Sequence, residues 1–190
     1  MTSVRILWAL LSLLWIGAEI ILARKTRVDN SRLSDREDRS QALLWTTVAA
    51  CMVSALIFKA FQWMPIPIEY LLRQLIALLL FAAGLSIRYC AVGRLGRFFT
   101  TNVSIQREHE LIVDGPYRWV RHPAYSGLLI ALTATGLAMG DWLALLVLVI
   151  PTVFAVNFRI AIEEKLLAKK FGIGFREYSQ KTWKLVPWLF

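Results

Sequence analysis

Five apolar segments, each close to the length that crosses a lipid bilayer as a helix, constrain the fold of this chain more than any other feature. They occupy residues 4–23, 41–63, 68–92, 123–139 and 142–158. About 20 apolar residues span the hydrocarbon core of a bilayer as an α-helix. Hydrophobic residues make up 57% of the 190-residue chain, above the roughly 45–50% of soluble globular domains. The sequence therefore predicts an all-α integral membrane protein with five transmembrane helices.

The polar stretches indicate where a site can form. Residues 93–121 separate the third and fourth apolar segments, and residues 159–190 form a basic, amphipathic tail. We expect a single membrane-embedded domain over residues 1–190. Residues 1–92 would form three spans, and residues 93–190 a candidate catalytic half with a helical hairpin and the C-terminal tail. The segment after the third helix and the tail would build a cytoplasmic cofactor-binding region.

The distribution of basic residues predicts the orientation in the membrane. All but three of the 22 Lys and Arg residues lie in segments 24–40, 88–121 and 159–190. Cytoplasmic segments carry the excess of Lys and Arg, which places the N-terminus outside and the C-terminus in the cytoplasm. This topology and attraction to anionic lipid explain the formal net charge of +9, so nucleic acid is not predicted as a partner.

One polar segment carries more aromatic and hydrogen-bonding groups than the start of a membrane helix requires. Residues 115–127 read GPYRWVRHPAYSG and include Tyr117, His122, Pro123 and Tyr125. Pro123 fits the first turn of a helix, where its missing N–H costs nothing, and the free N–H groups of that turn suit a carboxylate. The alternative is an arginine anchored among lipid head groups ahead of an ordinary proline helix start.

Two further sets of ionisable residues are candidates. Arg159 and Glu163 are four residues apart, so they share one face of a helix. They are either a surface ion pair of little energetic value or functional groups beside a membrane span. An arginine there can hold a carboxylate through two parallel N–H bonds. Glu19, inside the first apolar segment, is interpreted as a snorkelling partner of Arg24.

These motifs, in this order around a helical hairpin, resemble the isoprenylcysteine carboxyl methyltransferase family, which belongs with the wider membrane methyltransferases that include phospholipid N-methyltransferases. The resemblance covers residues 95–190 and rests mainly on GPYRWVRHPAY at 115–125 and RIAIEE at 159–164. It implies S-adenosylmethionine as the cofactor and no metal. It also implies that Arg159 is the catalytic residue that contacts the substrate. The implied cofactor-binding residues are His109, Glu110, Leu111, Ile112, Tyr117, His122, Pro123, Ala124, Tyr125 and Glu163.

The resemblance implies methyl transfer to a lipophilic acceptor, most simply the carboxylate of a prenylcysteine-like compound, which would become a methyl ester. A carboxylate is already ionised at neutral pH, whereas an amine acceptor would need Glu163 or Glu164 as a general base. The alternatives are a phospholipid or other small amphiphile as acceptor, a sterol-reductase-like enzyme that uses NADPH, and a non-enzymatic membrane scaffold.

The expected partners are membrane lipids and a lipophilic or prenylated substrate. The layout resembles the short prokaryotic members of the family, which favours a prokaryotic inner membrane, and the oligomeric state is not predicted.

Overall fold

In the computed structural model of this protein, the apolar segments form long α-helices. The structure describes residues 2–26, 35–96 and 111–187. A short 3-10 helix, Gly115–Arg118, precedes the fourth α-helix. The α-helices in chain order are α1 (Thr2–Lys25), α2 (Asp35–Phe61), α3 (Tyr70–Leu95), α4 (Pro123–Met139), α5 (Trp142–Phe171) and α6 (Ile173–Lys181).

Four of the described helices, α1, α2, α3 and α5, are long and apolar enough to cross a membrane. Helix α4 is also apolar but has 17 residues, and it packs against α3 and α5. Large apolar side chains point outward, such as Leu14 at 70% exposure and Phe154 at 71%, which suits a bundle surrounded by lipid. The predicted all-α membrane fold is confirmed, while the number of five crossings stays a prediction.

Helices α3 and α4 approach closely through small residues. A Cβ atom on Gly84 would lie 2.7 Å from the backbone N of Ala131, and one on Gly127 would lie 2.6 Å from the backbone N of Arg88. Small residues let membrane helices pack backbone to backbone. This contact fixes the side chain of Arg88 beside the first turn of α4.

The loop after α2 and the turn after α4 meet at one end of the bundle. Helix α2 ends at Phe61, and the backbone N of Met64 donates to the buried Asp141 carboxylate at 2.7 Å. The same carboxylate caps α5 by accepting from Leu143 and Ala144. Asp141 therefore ties the two connections together at the end opposite to the C-terminus of α5.

Helix α5 continues past the apolar segment that ends at residue 158 and reaches Phe171, so Arg159 and Glu163 lie on one helix, as their spacing predicts. One sequence-based expectation needs correction. Glu19 pairs with Arg88 of α3, through Nη2 at 2.6 Å, instead of with Arg24. A bidentate partner inside the bundle removes the need for Glu19 to reach the membrane surface.

Candidate active site

The start of α4 is held by the C-terminal segment of the chain. Helix α4 begins at Pro123, as predicted, with His122 as its N-cap. The backbone N of Arg121 donates to the carbonyl of Trp183 at 2.7 Å, and that of His122 donates to the carbonyl of Lys184 at 3.1 Å. The Ser126 hydroxyl adds a bond of 2.5 Å to the carbonyl of Leu185. The tail therefore forms a strap, residues 178–187, that lies against the segment predicted to carry the site.

Side chains reinforce this strap. Tyr178 donates to the backbone carbonyl of Tyr117 at 2.7 Å. The Arg121 guanidinium donates to the carbonyls of Ser179 and Thr182. Because the strap pairs with the site segment through both backbone and side chains, the two halves of the candidate site form one structure.

Glu164 links the HPAY motif to α5. Its Oε1 accepts from Arg121 Nε at 2.9 Å and lies 3.1 Å from His122 Nε2. The His122 ring is only 5% exposed, so this contact sets its orientation.

Arg159 and Glu163 meet on one tyrosine hydroxyl. Arg159 Nε donates to the Tyr125 hydroxyl at 2.7 Å, and that hydroxyl donates to Glu163 Oε2 at 3.2 Å. Arg159 Nη1 also donates to the Ser40 hydroxyl of α2 at 3.1 Å. Arg159 is 3% exposed, so its charge lies inside the bundle, where electrostatic interactions are strong.

Tyr117 and Tyr178, which are joined by a hydrogen bond, remain neutral at physiological pH. Burial, followed by the negative charge of Glu163, raises the pKa of Tyr117 above its ordinary value. Burial raises the pKa of Tyr178 to about 12. Both residues therefore present a ring face and an uncharged hydroxyl.

Tyr117 and Tyr178 line a cavity of about 690 Å³. Its lining includes polar side chains near the start of α4 and apolar side chains of α1, α2 and α4. The polar end holds Arg121, Glu163, Phe175 and Tyr178 among others, and the interior part is bounded by α1, α2 and α4. The predicted site residues that line it are Leu111, Ile112, Tyr117, His122, Ala124, Tyr125, Arg159 and Glu163.

The remaining predicted residues have other places. Pro123 is buried at the first position of α4, where it sets the direction of the helix without lining the cavity. His109 and Glu110 lie outside the described residues. The structure thus brings most of the predicted set together around one cavity.

Sequence reasoning missed several contacts at the cavity. Ser40 contacts Arg159, Arg121 pairs with Glu164, and the Glu19–Arg88 pair lines the wall between the polar and apolar parts. A signal existed for the last pair, since two ionisable residues deep in apolar segments need partners. The Ser40–Arg159 contact joins residues far apart in sequence and carries no local pattern.

Fold and cavity together define an all-helical integral membrane protein whose site joins a polar pocket to an apolar chamber. The sequence model of the isoprenylcysteine carboxyl methyltransferase family matches residues 75–169, which is half of the chain, and the chain belongs to this family.

Named relatives agree with this assignment. A probable protein-S-isoprenylcysteine O-methyltransferase of Oryza sativa subsp. indica is 34% identical over 123 residues, 64% of each chain. The protein-S-isoprenylcysteine O-methyltransferase of Saccharomyces cerevisiae is 26% identical over 144 residues, which cover 75% of this chain and 60% of the yeast chain. The match therefore spans somewhat less than two thirds of the length of these relatives.

A solved structure supports the fold. The chain superposes on a eukaryotic intramembrane Ras methyltransferase, an isoprenylcysteine carboxyl methyltransferase, with a TM-score of 0.62. The two share 23% sequence identity, and the match covers 76% of this chain and 52% of the other. At 23% identity, the similarity between the two structures supports a shared membrane fold.

Proposed function

We propose that this protein transfers a methyl group from S-adenosylmethionine to the carboxylate of a prenylcysteine-like acceptor. The observation that carries the proposal is the cavity, whose lining combines Arg159, Glu163 and other polar side chains with apolar residues of α1, α2 and α4. A soluble donor and a lipid-modified acceptor need such a combination, because one is polar and the other must keep its tail out of water. The names of the relatives, which refer to isoprenylcysteine O-methyltransfer, support the same acceptor.

The polar end fits the chemistry of the donor. S-adenosylmethionine carries a carboxylate, an amine, a ribose, an adenine and a sulfonium cation. His122 can donate to or accept from its polar groups, and Glu163 can accept from a hydroxyl or an amine. The rings of Tyr117 and Tyr178 can stack on adenine or face the sulfonium. Glu164 and the strap would keep these groups in place.

Arg159 would hold the acceptor. It contacts Tyr125 and Ser40, which are next to the first residues of α4 and α2 that line the cavity. A buried guanidinium attracts a carboxylate and can orient it through parallel N–H bonds. When bound, S-adenosylmethionine supplies a methyl whose bond to sulfur breaks as its bond to the carboxylate oxygen forms, leaving S-adenosylhomocysteine and a methyl ester. An ionised carboxylate has no proton to lose, so the residues here align the reactants and exclude water.

The polar end would face the cytoplasm, where the donor is made available. The described basic residues in the last turns of α1, α3, α5 and α6 lie at the end of the bundle that carries Arg121, Glu164 and the strap. Their position supports a cytoplasmic C-terminus by the positive-inside rule.

The test is methyl transfer from labelled S-adenosylmethionine to S-farnesyl-N-acetylcysteine by the purified protein in lipid nanodiscs. Arg159→Ala should reduce turnover by at least about a hundredfold, since a transition-state contact from a charged hydrogen bond is lost. Binding of S-adenosylhomocysteine, measured by calorimetry, should change little and would show that the variant is folded.

The exposed Arg118→Ala is the matched control and should keep wild-type turnover. Normal turnover by Arg159→Ala, or methylation of phospholipid in place of the prenylcysteine, would contradict the proposal.

A further inference from the structure

Helix α6 has an inward and an outward face. Phe175 is buried and, together with Tyr178, lines the cavity. Ile173 and Arg176 lie on the opposite side of the helix and are exposed, Ile173 at 74%. The cavity uses only the inward face of α6, so the outward face is available to a second partner.

The strap that follows α6 returns to the level of the membrane helices. The Leu185 side chain belongs to a buried cluster with Val156 of α5, and the Leu185 carbonyl accepts from Ser126 near the start of α4. The neighbouring Trp183 and Val186 are exposed. Tryptophan is enriched at the boundary between lipid head groups and hydrocarbon. We therefore expect the exposed edge of the strap, formed by Trp183 and Val186, to lie at this boundary.

The exposed charges next to this boundary are almost all positive. Between residues 165 and 184, Glu177 is the single exposed acidic side chain. The exposed basic side chains of the same stretch, which we call the basic face, are Lys165, Lys169, Lys170, Arg176 and Lys181. About 20 residues of a helix cross the hydrocarbon core, so α5, which begins at Trp142, carries Lys165 and Lys169 about 5–10 Å beyond it. Lysine and arginine at this distance are attracted to anionic head groups, so the charge of the basic face is complementary to anionic phospholipid.

The same segment holds residues of the candidate site from its other side. Tyr178 donates to the carbonyl of Tyr117, and Arg121 donates to the carbonyls of Ser179 and Thr182. A ligand that fixes the outward side of α6 and the strap therefore also fixes the side that contacts the site, because both sides belong to one continuous segment.

We infer that the basic face and the exposed edge of the strap bind the head groups of anionic phospholipids, and that this binding holds the strap against the candidate site. The second part rests on the proposed function, which places the methyl donor beside Tyr117 and Tyr178. Anionic lipid and methyl donor then stabilise the same position of the strap, so each raises the affinity of the protein for the other. Methyl transfer is consequently fastest in a membrane leaflet that contains anionic phospholipid.

The first measurement is thermal unfolding of the purified protein in a neutral detergent, titrated with dioleoylphosphatidylglycerol or with dioleoylphosphatidylcholine. The anionic lipid should raise Tm more than the zwitterionic lipid does, because a ligand that binds the folded state stabilises it. Lys169→Gln/Lys181→Gln removes two charges of the basic face and should lose most of this difference. A variant that keeps the full difference between the two lipids would overturn the lipid site.

Two matched controls separate this surface from net charge and from general damage. Lys169→Arg/Lys181→Arg keeps both charges and should keep the wild-type response to anionic lipid. Arg5→Gln/Lys59→Gln removes the same number of exposed charges at the opposite end of the bundle and should also respond like the wild type. An equal loss of the response in Arg5→Gln/Lys59→Gln and in Lys169→Gln/Lys181→Gln would show that net charge alone matters, and would contradict the assignment to α6 and the strap.

The second measurement is calorimetric binding of S-adenosylhomocysteine in nanodiscs of phosphatidylcholine alone or of an equimolar mixture with phosphatidylglycerol. The wild type should bind at least about fivefold more tightly in the mixture, whereas Lys169→Gln/Lys181→Gln should bind equally in both. Equal affinity of the wild type in the two lipids would overturn the connection between the lipid surface and the site. No binding of S-adenosylhomocysteine in either lipid would reject the proposed function instead, and the Tm measurement would still decide whether anionic lipid binds to α6 and the strap.

Discussion

At the scale of single residues, the Tyr125 hydroxyl joins the two ionisable side chains of α5 that line the cavity. It accepts from Arg159 and donates to Glu163, so it sits between a cation and an anion that the proposal assigns to different ligands. A hydroxyl can do both at once because it has one proton and two lone pairs. Tyr125 would thereby keep the acceptor-binding and donor-binding side chains in a fixed relation.

Replacing Tyr125 by Phe tests this connection. The ring stays, while Arg159 and Glu163 each lose a buried partner, which costs about 1.5–3 kcal/mol for a hydrogen bond to a charged group. We expect kcat/KM for the prenylcysteine acceptor to fall by about tenfold to a hundredfold. Tyr70→Phe, at the opposite end of the bundle, is the control and should leave kcat/KM unchanged. A Tyr125→Phe variant with wild-type kinetics would show that the hydroxyl does not position these side chains.

The sequence could predict Tyr125, His122, Arg159 and Glu163 as candidates because their spacing around the hairpin is local. It could not predict that Arg159 reaches Tyr125 and Ser40, since that depends on how three helices pack. The Glu19–Arg88 pair was assigned the wrong partner for the same reason. Sequence proximity favoured Arg24, whereas burial favours the arginine that can contact both carboxylate oxygens.

At the scale of helices, the contact between α3 and α4 sets the position of the candidate site. Gly127 lies against the backbone of Arg88, and α4 carries Ala124 and Tyr125 one turn earlier. Any added atom at Gly127 must push the two helices apart, because the nearest atoms belong to the backbone.

Gly127→Ala should therefore destabilise the protein by about 1–3 kcal/mol, the usual cost of overpacking. Thermal unfolding in detergent is the measurement, with turnover as a second readout because α4 would move away from α5. Gly93→Ala on α3 is the control. A Cβ there meets no other atom within 4 Å, and alanine favours helix over glycine, so stability should stay equal or rise. Equal stability of Gly127→Ala and wild type would contradict the close contact.

Helix α1 is attached to α3 mainly through long side chains. Arg88 contacts Glu19 through Nε and Nη2, both at 2.6 Å, and its Nη1 donates to the carbonyl of Ala124. Trp8 adds a bond of 2.6 Å to Gln74. The ion pair thus connects the first helix to the start of α4.

Arg88→Met should cost about 3–5 kcal/mol of stability, because it leaves the Glu19 carboxylate buried without its cation. The double variant Glu19→Met/Arg88→Met should recover most of that loss, since no unpaired charge remains. Thermal unfolding of both variants checks this. If the double variant is no more stable than Arg88→Met, the cost arises from lost packing and not from the uncompensated charge.

For the whole molecule, the hydropathy pattern was sufficient to predict the helices, because a chain in lipid must satisfy its backbone within each helix. The apolar pattern stops at residue 158, whereas α5 continues through Arg159 and Glu163 to Phe171. That extension has a functional consequence. Arg159 and Glu163 lie on the same continuous helix as the membrane-spanning part of α5. The packing of the bundle therefore fixes the position of these two side chains at the cavity.

The orientation of the bundle in the membrane is a prediction from charge that can be measured. The loop after α2 and the turn after α4 lie at one end, joined by Asp141, while Arg121, Arg159 and the strap lie at the other. The described basic residues in the last turns of α1, α3, α5 and α6 are at the second end, which the positive-inside rule predicts to be cytoplasmic. In a background with Cys51 and Cys90 replaced by Ala, Lys59→Cys should react with a membrane-impermeant maleimide in intact cells. Lys181→Cys on α6 should react only after the cells are opened. The reverse pattern would put the polar end outside, away from the cytoplasmic pool of S-adenosylmethionine, and would remove the physical basis for a soluble methyl donor at this site.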